Sequence, residues 1–318
     1  MMMDNFSIVF MGTPEFASHS LKKIHQDGIH ISCVITAADK PAGRGRKIKM
    51  SAVKNYALAN KLPVLQPPNL KDPEFIGKLK KIDADLFVVV AFRMLPEIVW
   101  DMPRCGTINL HASLLPDYRG AAPINHALIN GEKTTGVTTF YIEKEIDTGK
   151  IILQDEVDID KTMNAGMLHD LLMRKGGDLL LKTIKLIDMG KDVPTIIQLS
   201  ESSRKAPKLF PKDCKIPWND TLENIYNHIR GLSPYPGAWS EAKGANGKAF
   251  QFKIFSAEAE KYSHKHSKPS IHTDGKNFLK ISVPEGFIII KELQLPGKKR
   301  MAVAEFLKGY RDLDWIVY

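Results

Sequence analysis

The chain has 318 residues, of which 43% are hydrophobic and 25% are charged, and its formal net charge is +9. This length exceeds that of one ordinary hydrophobic core, so we expect a soluble globular protein of two domains. The longest strongly apolar run, LFVVVAF at 86–92, has the length of a strand, which excludes a membrane-spanning helix and argues against a membrane partner.

The N-terminal segment and the cysteines indicate a cellular compartment. MMMDNFSIVF lacks a basic region and leads directly into a strand pattern, so we expect no signal peptide. Cys33, Cys105 and Cys214 are far apart and have no zinc or redox spacing. Both observations predict a cytoplasmic protein with reduced thiols.

Strand and helix patterns alternate in the first half of the chain. They are, in order, a strand at 6–12, a helix at 13–26, and strands at 30–37, 83–92 and 106–111. This alternation predicts an open α/β sheet, in which ligands bind beyond the carboxyl ends of the strands. Gly12, Arg93 and His111 lie at such ends.

The second half of the chain has a different pattern. A long helical pattern at 165–187 gives way to turn residues of mixed charge. Beyond these come a helix at 221–232 and short strands at 248–258, 270–274, 278–284 and 286–295, with NG and DG turns among them. We therefore predict an α/β domain over 1–190, a linker over 191–207 and a small β-barrel domain over 208–318.

The positive charge is concentrated in the C-terminal third. Residues 1–200 hold 25 Lys and Arg against 23 Asp and Glu, whereas residues 201–318 hold 20 against 13. This asymmetry is typical of contact with a polyanion, and an ordinary solubility charge is the alternative. Two basic segments, at 40–49 and 296–303, are candidates for phosphate contacts, and each can equally be a solvated loop or turn.

Several common cofactor and nucleophile motifs are missing from the sequence. GTPEFA after the first strand lacks the further glycines of a dinucleotide fingerprint and the Gly-Lys-Ser/Thr of a phosphate loop. No serine lies in a nucleophile elbow, and no histidine pair has metal-ligand spacing. The sequence therefore supports neither a nucleotide cofactor nor a covalent serine mechanism, and it predicts no metal site.

Three polar residues remain as candidates for chemistry. Asn109 and His111 alternate with apolar residues, so both point to the same face at the end of a strand, and Asp147 precedes a Thr-Gly turn. Such a set can transfer an acyl group to an amine without a covalent intermediate. The amide and the imidazole donate hydrogen bonds to the developing oxyanion, while the carboxylate orients the imidazole. Taken singly, each residue is more typical of a satisfied core or turn position.

The segment NLHASLLPDYRGAAPI at 109–124, followed by IDTG at 146–149, resembles the signature of formyltransferases that use 10-formyltetrahydrofolate. Three further segments are similar to other hallmarks of that family, and they most resemble its members that act on a charged tRNA. They are FMGTPEFA at 10–17, DKPAGRGRKIKMSAVK at 39–54 and IRGLSPYPGAW at 229–239. Together these segments cover nearly the whole chain. The resemblance implies a Rossmann-like formyltransferase domain followed by an OB-like β-barrel.

The resemblance also implies roles for individual residues. It implies that Asn109, His111 and Asp147 form the catalytic set. The implied folate contacts are Arg93, Met94, Leu95, Ser113, Leu114, Leu115, Pro116 and Ile142. The implied tRNA contacts lie on the basic loop and on the barrel, and we predict them at Arg44, Arg46, Lys47, Lys298, Lys299 and Arg300.

The implied reaction moves the formyl group of 10-formyltetrahydrofolate, a co-substrate, to the free amine of methionine on the initiator tRNA, for translation initiation. A monomer that needs no metal is expected. Two alternatives stay open: a formyltransferase for an amino sugar or another small amine, and a non-catalytic RNA-binding module with a degenerate Rossmann-like fold. The basic loop and barrel would be unexplained in the first, and an intact Asn-His-Asp set argues against the second.

Overall fold

A computed structural model describes residues 6–42, 47–190, 193–198, 204–243, 249–266, 268–309 and 315–317. The chain divides into two compact units that alternate along the sequence. The first unit comprises Met1–Gly120, Thr135–Asp158 and His169–Lys205, and the second comprises Ala121–Thr134, Ile159–Leu168 and Ala206–Tyr318. The linear division at residues 190 and 207 stays a prediction.

The first unit is built on a sheet of seven strands in the order β10-β9-β7-β6-β1-β2-β5. The strands along this part of the chain are β1 (Ser7–Gly12), β2 (His30–Ile35), β3 (Lys40–Ala42), β4 (Lys47–Lys49), β5 (Val64–Leu65), β6 (Leu86–Val90), β7 (Thr107–His111), β8 (Arg119–Gly120), β9 (Thr134–Tyr141) and β10 (Ile151–Asp158). The helices are α1 (Glu15–Gln26), α2 (Ala52–Ala59), α3 (Pro73–Ile82), α4 (Glu97–Trp100), α5 (Pro123–Ile129) and α6 (Ala165–Asp188), of which α5 belongs to the second unit.

The centre of this sheet follows directly from the sequence. All residues of β1 and β6 are buried, because these strands are continuous apolar runs covered on both faces. The strand pairs β2–β1, β1–β6 and β6–β7 are parallel, so β1, β6 and β7 end at the same edge of the sheet. This arrangement confirms the predicted α/β fold.

Part of the sheet was not predicted from the sequence. β7 also pairs with β9, and this pair is antiparallel, so the sheet is mixed rather than purely parallel. β9 has the sequence TTGVTTFY, in which threonines and a glycine replace most of the apolar residues of a buried strand. Six of its eight residues are nevertheless buried, because the threonine hydroxyls find hydrogen-bond partners inside the protein.

The second unit contains an antiparallel barrel. Its elements beyond α5 are β11 (Lys205–Ala206, at the boundary between the units), a 3₁₀ helix (Pro211–Cys214), α7 (Leu222–Gly231), β12 (Ala238–Lys243), β13 (Ala249–Lys261), β14 (Ile271–Thr273), β15 (Leu279–Val283), β16 (Gly286–Gln294), β17 (Met301–Ala302), α8 (Val303–Gly309) and β18 (Ile316–Val317). The strand order is β14-β15-β16-β13-β12-β18, with β17 paired to β16. A bridge between Ser270 and Ile316 brings the two edges together and nearly closes the barrel.

The barrel is filled by the inward-facing residues of its strands, among them Phe252, Ile281 and Ile288. Trp218 belongs to the same core, and its indole N–H donates to Ser240 Oγ at 2.8 Å. The predicted β-barrel is thus confirmed, although β12 was not recognised in the sequence.

Candidate active site

Asn109 and His111 lie on one face of β7, near its carboxyl end. Asn109 is opposite Phe140 of β9, and His111 is opposite Thr138. Because side chains alternate across a strand, the amide and the imidazole project to the same side. Asn109 is half-buried, and only 7% of His111 is exposed. The structure therefore brings these two candidates together as the sequence pattern predicts.

One ring nitrogen of His111 is committed to the main chain. Nε2 lies 2.9 Å from the carbonyl oxygen of Tyr118. A carbonyl oxygen only accepts hydrogen bonds, so Nε2 carries a proton and Nδ1 is the nitrogen that can exchange one. Nδ1 faces Asp147, whose Oδ2 is 3.9 Å away. This separation is too long for a direct hydrogen bond, and a water or a substrate nitrogen can bridge the two atoms.

The carboxylate of Asp147 is held by a main-chain group. Its Oδ2 accepts a hydrogen bond of 2.9 Å from the backbone N–H of Gly120. The backbone of Asp147 has a φ of 55°, in the left-handed region, which costs on the order of 1–3 kcal/mol for a residue other than glycine. Two residues on, a Cβ at Gly149 would overlap the carbonyl oxygen of Tyr141. This loop therefore has a conformation that its surroundings must maintain.

The segment after β7 is fixed by hydrogen bonds of its own. Ser113 Oγ donates to the carbonyl oxygen of Asp117 at 2.7 Å, and Thr138 Oγ1 donates to the carbonyl oxygen of Ser113 at 2.7 Å. Tyr118 is buried and has a φ of 61°. These constraints set the direction of the Tyr118 carbonyl, which in turn sets the orientation of the His111 ring.

The predicted folate residues Ser113 to Pro116 belong to this same segment. The side chains of Ser113 and Leu115 are buried, whereas Leu114 and Pro116 are half-buried, and the Leu115–Pro116 peptide bond is cis. Since Ser113 is fully buried, a ligand here would meet main-chain groups and the accessible parts of Leu114 and Pro116.

Of the other predicted folate residues, Arg93, Met94 and Leu95 lie beyond the end of β6, whereas Ile142 follows β9 and donates its N–H to the carbonyl oxygen of Thr107 at 2.7 Å. Leu95 and Ile142 pack against one apolar cluster, and Met94 next to Leu95 is 72% exposed. The guanidinium of Arg93 donates hydrogen bonds to the carbonyl oxygens of Pro67 and Pro68. Leu95 is thus part of this cluster and Ile142 packs against it, while Arg93 contacts a neighbouring loop.

The predicted basic loop is carried by a β-hairpin. β3 and β4 pair antiparallel, with Lys40 opposite Lys49. Arg44 and Arg46 lie outside the described residues, and Lys47 is described only through its place in β4.

The residues that flank this hairpin, Asp39 before β3 and Ser51 after β4, are both held by hydrogen bonds. Asp39 Oδ2 accepts a hydrogen bond from Lys54 Nζ at 2.5 Å, and its Oδ1 accepts one from Gln66 Nε2 at 2.9 Å. These bonds, that of Lys54 first, hold the pKa of the Asp39 carboxyl below its usual value. At the other end, Ser51 Oγ caps α2 through the N–H of Lys54 and lies 2.8 Å from Thr36 Oγ1.

The predicted barrel cations lie in an exposed turn between β16 and β17. Lys299 Nζ is 3.7 Å from Glu305 Oε1, and Arg300 Nε donates to Glu292 Oε2 at 2.9 Å. Lys298 is exposed in the same turn. Two of these three charges are therefore already partly balanced by carboxylates.

The described residues can also be surveyed for metal ligands, membrane-spanning helices and cysteine pairs. Within the described ranges, no group of three or more His, Cys, Asp or Glu side chains is placed to hold a metal ion. No helix among those ranges is both long and apolar enough to cross a bilayer. The three cysteines are free, and burial raises the pKa of the Cys33 thiol to about 11.

The sequence reasoning missed three residues that contact the candidate set. Tyr118 and Gly120 act through main-chain groups, and Gln198 donates to the carbonyl oxygens of Asp147 and Gly149. Main-chain roles leave no signature in side-chain chemistry. The only available signal for Tyr118 and Gly120 was their position within SLLPDYRGAAP, and no signal marked Gln198.

The family of this chain follows from comparison with known proteins. A family model described as formyl transferase matches residues 6–184, and one described as formyl transferase, C-terminal domain, matches residues 208–311. The chain belongs to the formyltransferase family, as the sequence motifs predicted. It is 52% identical over 311 residues to a methionyl-tRNA formyltransferase of Bacteroides fragilis, covering 96% of each chain. It is also 52% identical over 307 residues to a protein of the same name from Flavobacterium johnsoniae, covering 96% of this chain and 97% of that one.

The fold is shared with more distant solved structures. An N-formyltransferase from Helicobacter canadensis, crystallised with folinic acid and dTDP-3-aminofucose, aligns with a TM-score of 0.65 at 22% identity, over 93% of this chain and all of that one. At this identity the similarity concerns the fold, which is the predicted Rossmann-like domain followed by a barrel.

Proposed function

We propose that this chain transfers the formyl group of 10-formyltetrahydrofolate to the free amino group of methionyl initiator tRNA, giving N-formylmethionyl-tRNA for translation initiation. The single observation that carries the proposal is the arrangement of Asn109, His111 and Asp147, with 3.9 Å between His111 Nδ1 and Asp147 Oδ2. The choice of acceptor rests on the relatives named methionyl-tRNA formyltransferase, which match 96% of the chain.

Asn109 and His111 stabilise the negative charge that develops when the amine nitrogen bonds to the formyl carbon. The Asn109 side-chain amide donates one hydrogen bond to the formyl oxygen, and His111, protonated on Nδ1, donates the second. His111 Nε2 is not free for this role, because it donates to Tyr118. Both donors are positioned before the reaction by β7, so little reorganisation is needed.

Asp147 supports the charged ring of His111 and relays a proton. The attacking amine loses a proton as its bond to the formyl carbon forms, and the departing nitrogen N10 of the folate gains one as its bond to that carbon breaks. Asp147 Oδ2 has further acceptor capacity beyond its bond to Gly120 N–H, so it can take part in this transfer directly or through water.

We assign the pterin part of the donor to the region beyond the end of β6. Leu95 and Ile142 pack in an apolar cluster, and the neighbouring Met94 is exposed, so a flat ring can cover this surface. The main chain of Ser113 to Pro116, which follows His111 closely in the sequence, supplies polar groups that can bind the donor. Holding two substrates in line accounts for much of the rate in such reactions, up to roughly 7–11 kcal/mol.

The two predicted domains have different roles in the proposal. We assign residues 1–190 to catalysis, the loop at Arg44, Arg46 and Lys47 to the end of the acceptor stem, and residues 208–318 to tRNA binding. The excess of Lys and Arg over Asp and Glu in residues 201–318 supports this assignment. We further propose a cytoplasmic monomer, the compartment being that of initiator tRNA.

The test is incubation of the chain with 10-formyltetrahydrofolate and methionyl initiator tRNA, followed by hydrolysis of the ester and identification of the amino acid. N-formylmethionine is the expected product, and a nucleotide-linked amino sugar in place of the tRNA should stay unmodified. A formylated sugar with unmodified methionine would contradict the proposed acceptor but keep the reaction class. RNA binding without formylation of either acceptor would contradict both.

A further inference from the structure

Gln198 lies outside the predicted catalytic set, in the stretch predicted to be a linker, and yet it contacts the loop of Asp147. Its side-chain nitrogen Nε2 donates to the carbonyl oxygen of Asp147 at 3.0 Å and to that of Gly149 at 2.7 Å. Its oxygen Oε1 accepts from Nε and Nη2 of Arg119, at 3.0 and 2.7 Å. Only 9% of Gln198 is exposed.

The orientation of this amide is determined by its partners. An amide nitrogen has two protons to donate, and both meet carbonyl oxygens; the amide oxygen has two lone pairs, and both meet guanidinium N–H groups. Rotating the amide by half a turn would place oxygen against two carbonyl oxygens and N–H groups against Arg119, so all four contacts would become repulsive. The side chain is thus fully satisfied in one orientation.

These bonds complete a closed ring of contacts around Asp147. The carboxylate of Asp147 accepts from Gly120 N–H, Gly120 follows Arg119 in the chain, Arg119 donates to Gln198, and Gln198 donates to the carbonyl oxygen of Asp147. Asp147 is therefore held through both its side chain and its main chain. Its φ of 55° lies in the left-handed region, which a residue with a side chain adopts less readily than glycine does, and these contacts favour that conformation.

The segment that carries Gln198 is itself attached to the sheet of the first unit. Ile196 and Ile151, the first residue of β10, exchange two backbone hydrogen bonds of 2.8 Å. Further on, Arg204 accepts a hydrogen bond of 2.7 Å from the N–H of Tyr118, whose carbonyl orients His111. The same stretch of chain therefore contacts the supports of both His111 and Asp147.

We propose that Gln198 is a positioning residue that keeps the carboxylate of Asp147 beside Nδ1 of His111, so that the linker forms part of the catalytic site. This inference rests on the proposed function for the role of Asp147. It predicts that loss of the two donated bonds lets the loop relax and moves the carboxylate away from His111. Displacement of a catalytic group by about 1 Å can lower a rate by about 10²-fold.

The experiment uses the full chain with Gln198→Glu and Gln198→Ala. Glu retains the acceptor for Arg119 but cannot donate to the carbonyl oxygens, so it separates the two halves of the amide. Asn60→Asp is the matched control, because Asn60 at the end of α2 also donates from its side-chain amide nitrogen, Nδ2, to a carbonyl oxygen, that of Tyr56 at 2.8 Å. We expect both Gln198 variants to lower kcat by about 10- to 10²-fold with nearly unchanged KM for both substrates. The control should retain its kcat.

A double-mutant cycle distinguishes positioning from a general loss of stability. If Gln198 acts through Asp147, then Gln198→Glu should lower kcat little further in a chain that already carries Asp147→Ala. An equal fold-loss in both backgrounds would overturn the proposal. So would a Gln198→Glu variant with the kcat of the wild type.

A second readout does not depend on activity. The backbone N–H of Gly120 donates to Asp147, so its hydrogen exchange reports whether the carboxylate is in place. We expect faster exchange at Gly120 in both Gln198 variants and in Asp147→Ala, with unchanged exchange in the buried strand β1. Unchanged protection at Gly120 would overturn the proposal. A chain that formylates no acceptor and still shows the expected exchange would contradict the proposed function alone.

Discussion

The carboxylate of Asp147 lies 3.9 Å from Nδ1 of His111, while Nε2 of the same ring donates to the carbonyl oxygen of Tyr118. The two nitrogens of the imidazole therefore have different roles. Nε2 fixes the ring to the protein, and Nδ1 is the nitrogen that faces the carboxylate.

Replacing either donor of the proposed oxyanion site should lower turnover. We expect Asn109→Ala and His111→Ala each to reduce kcat by about 10²–10³-fold, because one preorganised donor is lost. KM for both substrates should change little, since the charge develops only in the transition state. His169→Ala, at a half-buried histidine of α6 outside the proposed site, is the control and should keep its kcat. Near-normal turnover of His111→Ala would contradict the assignment.

Asp147→Asn tests the charge of the carboxylate separately from its geometry. Asn can still accept the hydrogen bond from Gly120 N–H, so the loop should be retained, but it can neither support a protonated His111 nor take up a proton. We expect kcat to fall by about 10²–10⁴-fold, the range of a lost acid–base group. Steady-state kinetics measure this fall in kcat. An unchanged kcat would exclude Asp147 from the reaction.

Gly149→Ala should destabilise the protein, because the added Cβ would overlap the carbonyl oxygen of Tyr141. We expect the free energy of unfolding to fall by about 1–3 kcal/mol, as for other overpacked sites, together with a loss of activity. Gly77→Ala is the matched control, since a Cβ there meets open space within α3. Thermal unfolding measures the stability of both variants. Equal midpoints for the two would show that the loop accommodates the methyl group.

Arg44→Ala should lower two activities of the protein unequally. We expect formylation of methionyl-tRNA to fall much more than the slow hydrolysis of the formyl donor measured without tRNA, because a lone cation between two glycines suits a phosphate contact. Arg174→Ala, at an exposed position on α6, serves as the control. Equal losses of both activities would assign Arg44 to the folate pocket or to the fold.

The barrel turn is tested by salt dependence. Each phosphate neutralised contributes about −0.7 to −0.9 to the slope of log K against log [salt]. Replacing Lys298, Lys299 and Arg300 with Ala should flatten this slope by up to about 2–3 and weaken binding of all tRNAs alike, with folate binding unchanged. The control removes the exposed Lys71, Lys80 and Lys81 of the first unit. The carboxylates beside Lys299 and Arg300 favour a change in slope at the lower end of this range. A slope equal to that of the wild type would reject this turn as a tRNA contact.

The sequence alone determined the central strands and the placement of Asn109 and His111 on one face of β7. Both are local properties: a continuous apolar run specifies a buried strand, and the alternation of side chains follows from backbone geometry. β9 was missed because its threonines become compatible with burial only when hydrogen-bond partners from other segments are present.

What the tertiary structure decided is how distant segments meet at the site. The approach of Asp147 to His111 depends on a left-handed backbone, on the N–H of Gly120 and on the amide of Gln198, which lie in separate parts of the chain. The commitment of Nε2 to Tyr118 likewise depends on the direction of a carbonyl group, and every residue has such a group whatever its side chain. Side-chain identity therefore determined which groups can do the chemistry, whereas main-chain contacts formed only in the folded chain determined their distances and protonation sites.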